Sequence, residues 1–164
     1  MISKALGAQV IAIDINQNTL DLAKEMGASF AINANSNSQV AQSIKEITKG
    51  GAHVSIDALG SKETASNSID CLKKRGKHIQ VGLMTEDHKQ IMVPMDRILA
   101  EELEIIGSHG MQAHKYHEMF QMILKGELHP EKLIDRTITL EEASQILPKM
   151  NAFKHSGIQV IDRF

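Results

Sequence analysis

The chain has 164 residues, 42% hydrophobic and 23% charged, with 18 Lys plus Arg against 20 Asp plus Glu and a formal net charge of -2. That is the composition of a globular domain long enough to bury a core without disulfide or metal staples, and it offers no basic footprint for nucleic acid. Apolar runs such as Val10-Ile11-Ala12-Ile13 are too short to cross a membrane, the lone Cys71 excludes an internal disulfide and any multi-cysteine zinc site, and the opening Met1-Ile2-Ser3-Lys4 lacks the layout of a secretory signal, so a cytoplasmic location is expected.

Met1 to Leu6 reads as a helix closed by Gly7, and Val10 to Asp14 as a buried strand that ends in an acid. Thr19 to Met26 sets Leu20, Ala23 and Met26 at helical spacing. Lys24-Glu25-Met26-Gly27-Ala28 echoes Lys4-Ala5-Leu6-Gly7-Ala8, so each marks a helix capped by Gly before a strand. Asn33 to Gln39 is a hydrophilic loop, Val40 to Ile47 an amphipathic helix, and Val54 to Ala58 a second buried strand. Ser61, with Glu63 two residues later, opens a further helix as its N-cap. Lys73, Lys74, Arg75 and Gly76 read as its close, cations complementing the carbonyl end and Gly76 suiting a left-handed cap.

His78 to Leu83 and Leu103 to Gly107 are shorter strands, with Thr85 to Gln90 a surface excursion between them. In the apolar run Ile91-Met92-Val93-Pro94-Met95, the proline points to an edge strand, and the run is expected to be a self-association surface of a homo-oligomer. Strands alternating with helices predict the α/β class, a parallel sheet covered by helices within one domain over residues 1–164.

Chemistry concentrates at Asp14. In dinucleotide-binding folds an acid at this strand end accepts hydrogen bonds from the adenosine ribose hydroxyls and repels a 2'-phosphate; an acid capping the next helix would look the same in sequence. The phosphate-binding G-x-G-x-x-G turn that should precede it is absent, because no two of the 11 glycines stand two residues apart. A methyltransferase using S-adenosylmethionine would need the same missing turn. His109, His114 and His117 form a loose imidazole cluster without a carboxylate or thiolate at ligand spacing, which fits a solvated surface better than zinc. The only tyrosine, Tyr116, has Phe120 where a short-chain dehydrogenase would place lysine.

The segments 5–14, 23–28, 50–60, 76–83, 102–108 and 140–161 resemble, in order and spacing, the medium-chain dehydrogenases/reductases, and among them the zinc-dependent alcohol dehydrogenase branch. The resemblance runs over essentially the whole chain and places it in the carboxyl-terminal part of such an enzyme. It implies a Rossmann-like doubly wound parallel sheet lacking its first strand and Gly-rich phosphate loop, followed by the family's closing segment from about 125 to 164. It implies NAD as cofactor and hydride transfer between an alcohol and NAD as the activity. Asp14 would be the ribose-binding acid, and Ala58, Leu59 and Gly60 with Val81, Gly82 and Leu83 the strand ends bordering adenosine and nicotinamide. Gly107, within Ile106 to Ser108, would present backbone to the carboxamide. Thr19 and Ile158 depart from the basic residues that many members carry near the ribose and pyrophosphate.

The family's catalytic zinc is held by ligands of an amino-terminal domain, none of which lies in this chain, so the chain alone is expected to be inactive; the alternative is a noncatalytic self-association or partner-binding module. In the strand order 3-2-1-4-5-6 the missing first strand belongs between Val10 to Asp14 and Val54 to Ala58. Those two strands would pair directly, accept a strand from another chain, or leave the protein partly unfolded, and the last is the expectation for the chain alone.

Overall fold

A computed structural model describes residues 1–152 and 157–164; residues 153–156, inside the closing stretch 140–161, lie outside the described residues. In chain order the elements are α1 (Ile2–Ala5), β1 (Ile11–Asp14), α2 (Gln17–Glu25), β2 (Phe30–Asn33), α3 (Val40–Thr48), β3 (Ala52–Asp57), α4 (Lys62–Asp70), β4 (Leu72–Gln80), α5 (Met95–Glu101), β5 (Glu104–Gly107), α6 (Tyr116–Leu124), β6 (Ile134–Thr139), α7 (Leu140–Ile146) and β7 (Ile158–Arg163). They form two compact units, Met1–Ser36 with Gln112–Phe164, and Asn37–Met111. All strand pairs are parallel, as the alternation of strands and helices predicts. Among the described residues no helix is long and apolar enough to cross a membrane.

In the first unit β1 pairs with β2, from Ile11 beside Phe30 to Asp14 beside Asn33. The echo in the sequence marks what it promised: Gly7 (φ 86°) and Gly27 (φ 104°) end α1 and α2 in left-handed conformations before β1 and β2. A second pair, β6 with β7, carries α7, whose start is fixed by a capping box between Thr139 and Glu142.

The second unit is a three-stranded sheet in the order β3-β4-β5. Its core gathers Ile69, Leu72 and Leu103, with Ala52 and Ile98 packed against them. Ser61 caps α4 as expected, and its reciprocal partner in the capping box is Thr64.

Three expectations are corrected. The helix opened by Ser61 ends at Asp70 with Cys71 as its cap, and residues 73–76 belong to β4. Burying Ile69 and Leu72 turns the chain into the sheet at once, and Gly76 is needed for space: a Cβ there would lie 2.8 Å from the Lys73 carbonyl and 3.1 Å from that of Ala52. Residues 91–94 form no strand, because Pro94 stands at the N-cap of α5, where its carbonyl accepts from Ile98 N–H at 2.9 Å and its missing donor costs nothing.

Third, β3 is not apolar inside. Ser55 and Asp57 are buried while Val54 and Ile56 are 52% and 58% exposed, because hydrogen bonds engage the polar face of the strand and its apolar face is left open. Among the described residues β1 is paired with β2 and β3 with β4, each within its own sheet.

Candidate functional site

Asp14 ends β1 in the first unit. Its Oδ1 accepts the Asn16 backbone N–H at 2.8 Å, and no partner engages Oδ2 among the described residues. The cap of α2 is Asn16, whose side chain accepts Asn18 N–H at 2.9 Å. Helix capping therefore falls to Asn16, and Asp14 retains an acceptor oxygen at the carboxyl end of its strand. Around it carboxamides tie the neighbouring chain together: Asn33 donates to Gln17 Oε1 at 3.2 Å, and Asn35 to the Ile15 backbone carbonyl at 3.1 Å.

The remaining candidates lie in the second unit, at the carboxyl ends of β3, β4 and β5, where open α/β sheets place their ligands. The turn at 58–60 and the turn at 81–83 meet backbone to backbone. A Cβ on Gly82 would overlap the main chain of Leu59 and Gly60, and one on Gly60 would stand 2.6 Å from the Leu83 carbonyl. Gly60 also needs its φ of 88°, so both glycines are imposed by the close approach. Val81 and Gly82 N–H groups both donate to the Asp57 carbonyl, at 2.9 and 2.8 Å. Gly107 stands beside Gln80 in the ladder, and Ser108 N–H donates to the Gln80 carbonyl at 2.9 Å. Leu59 and Leu83 face outward, 58% and 77% exposed, so the rim of this sheet end is apolar.

The anchor of both turns is a group that sequence reasoning missed. Asp57, 3% exposed, accepts Leu59 N–H at 2.9 Å and Gly60 N–H at 3.0 Å on Oδ1, and the Gln80 amide at 3.0 Å on Oδ2. The same Gln80 amide donates to the Gly82 carbonyl at 2.9 Å. Burial pushes the Asp57 carboxyl up, but the hydrogen bonds from Gly60, Gln80 and Leu59 outweigh it and hold the group below the ordinary carboxylate range. The signal in the sequence was an acid at a strand end three residues before a glycine, the pattern of a side chain closing its own turn.

Metal chemistry finds no donor set here. Among the described residues no three His, Cys, Asp or Glu side chains are grouped to hold an ion, His109, His114 and His117 included. Cys71 is buried, its thiol donates to the Ser68 carbonyl at 3.2 Å, and burial pushes its pKa up to about 11. The described residues do not fit a catalytic zinc, whereas the strand-end carboxylate of Asp14 keeps an oxygen able to accept a hydroxyl donor.

The sequence model of the zinc-binding dehydrogenase family matches residues 1–125. Over 162 residues the chain is 34% identical to an NAD-dependent alcohol dehydrogenase of Sulfurisphaera tokodaii, covering 98% of this chain and 45% of that protein. It is 31% identical, with the same coverage, to an NAD-dependent alcohol dehydrogenase of Saccharolobus solfataricus. Among solved structures, benzyl alcohol dehydrogenase from Acinetobacter calcoaceticus matches at a TM-score of 0.87 and 26% identity, over 99% of this chain and 45% of that one. The chain thus spans about half the length of the relatives it matches.

Proposed function

The chain belongs to the zinc-binding dehydrogenase family, and from that membership we propose that it forms the nucleotide side of an NAD-dependent alcohol dehydrogenase. The carrying observation is Asp14, with one oxygen held by Asn16 N–H and the other uncommitted at the carboxyl end of β1. That oxygen can accept from a ribose hydroxyl, and its charge disfavours a 2'-phosphate, which selects NAD over NADP. In this reading the turns at 58–60 and 81–83 and the backbone at Gly107 are further candidates for dinucleotide contact, taken within the second unit by itself. NAD itself supplies the hydride acceptor when bound. The chain's own residues bind and orient; among the described residues no three His, Cys, Asp or Glu side chains are grouped to hold the family's zinc.

Cofactor selectivity tests the reading. Saturation-transfer NMR on the purified chain should show NAD signals stronger than NADP signals, and Asp14→Ser should remove the difference. Equal response to the two cofactors in the parent, or unchanged preference in the variant, overturns it. The chain alone should form no NADH from primary or secondary alcohols, with or without added zinc; NADH absorbance above a metal-free blank would contradict that.

A second reading, self-association, is favoured by the stretch that begins at Ile91. Met92 and Leu99 are 94% and 82% exposed and Met95 is exposed beside them, an apolar surface at the start of α5.

A further inference from the structure

Ser55, His78, Asp57 and Gln80 share one face of the sheet, because the β3–β4 register sets Ser55 beside His78 and Asp57 beside Gln80. His78 is 2% exposed. An aliphatic side chain would fill that space with no polar atoms to satisfy, so a buried imidazole needs a reason.

The hydrogen bonds supply one. The Gln80 amide nitrogen faces two pure acceptors, the Asp57 carboxylate at 3.0 Å and the Gly82 carbonyl at 2.9 Å. Turning the carboxamide over would set oxygen against both, so Gln80 Oε1 must point the other way, toward His78 Nε2 at 3.1 Å. That ring nitrogen has to donate. His78 Nδ1 then faces the Ser68 hydroxyl of α4 at 2.9 Å, with Ser55 Oγ more distant at 3.5 Å. Hydrogen bonds run in one direction from Ser68 through His78 and Gln80 to Asp57, whose other oxygen collects Leu59 and Gly60 N–H.

We propose that His78 is a positioning residue, which through Gln80 orients the Asp57 carboxylate and so fixes the 58–60 turn against Gly82. It touches no ligand. Its effect on a dinucleotide would pass through the turn, and that part rests on the function proposed above. The inference about the turn itself rests only on the chain.

The first measurement needs no variant: the side-chain nitrogen NMR pattern of His78 should be that of a ring protonated at Nε2 with Nδ1 accepting. An Nδ1–H tautomer, or a mixture averaging the two, overturns the proposal. The second compares His78→Leu, which keeps the bulk and removes the donor, with His78→Gln, which returns an N–H near the Nε2 position. Amide exchange at Leu59 and Gly60 should speed up about tenfold in His78→Leu relative to the β3–β4 ladder, as expected for loss of one buried hydrogen bond, and recover in His78→Gln. Uniform acceleration across the sheet, or no change at those two amides, refutes a positioning role. Titration with NAD separates the two ideas. If the exchange pattern holds but NAD leaves the Leu59 and Gly60 resonances unmoved, the cofactor reading fails and the positioning of the turn stands.

Discussion

Asp57 is the residue on which the sheet end depends, and its protonation has a consequence with a definite sign. Its folded-state pKa lies below that of the unfolded chain, so its contribution to stability is present above about pH 4 and is lost as pH falls through the folded value. Asp57→Asn should cost about 1–3 kcal/mol at neutral pH, since an amide at Oδ2 would oppose the Gln80 donor. The difference between parent and variant should shrink below pH 4, as urea denaturation across the acid range would show. Cys71 gives the opposite sign. Its raised pKa means that keeping the thiol neutral favours the fold below about pH 9 and that this contribution fades as pH rises toward about 11. Thiol labelling of the native chain at neutral pH should therefore be far slower than in urea; equal rates would place the thiol in solvent.

Arg97 does for α5 what Asp57 does for the turns. Its guanidinium donates from Nη1 to the Ile69 carbonyl at 3.0 Å and from Nη2 to the Leu72 carbonyl at 2.6 Å, closing the end of α4. The same group grips Glu101 through Nε at 3.0 Å and Nη2 at 2.9 Å. Hydrogen bonding to Arg97 is the main reason the Glu101 carboxyl sits below its ordinary value. A lysine has one point charge and cannot copy the fork, so Arg97→Lys should lose most of what Arg97→Met loses, about 2–3 kcal/mol by urea unfolding. A fully tolerated Arg97→Lys would show that the fork geometry is unimportant. Gly82→Ala belongs to the same scale: the added methyl must push the 58–60 turn, with a cost of about 1–3 kcal/mol and shifted Leu59 and Gly60 resonances.

Parallel sheets are ordinarily covered on both faces, yet in the second unit Val54 and Ile56 are exposed and β5 is exposed along its whole length. Only β4 has strand neighbours on both sides there. Amide exchange should accordingly be slowest in β4 and faster in β1, β3 and β5; equal protection across all four strands would contradict this ranking. Exposed apolar surface also favours association. Met92→Lys together with Leu99→Lys should lower the solution mass or the tendency to aggregate, and a double variant that keeps the parent's mass would count against that surface.

Local rules made much of this legible in one dimension. Glycines at 7 and 27 are written into the chain because only they adopt the left-handed ends of α1 and α2 cheaply, and the Ser61 cap and the acid ending β1 follow from equally short-range chemistry. Family membership was legible too, since it rests on the order and spacing of such segments. Tertiary structure decided what depends on partners distant in sequence. That Asn16 rather than Asp14 caps α2 requires the hydrogen bonds themselves, and that residues 73–76 continue a strand requires the close approach of Ala52. His78 read as one polar residue in an apolar run. Its place in a chain of hydrogen bonds emerges only when the β3–β4 register brings Ser55, Asp57 and Gln80 alongside, because hydrogen-bond direction is a property of pairs in space and not of spacing along the chain.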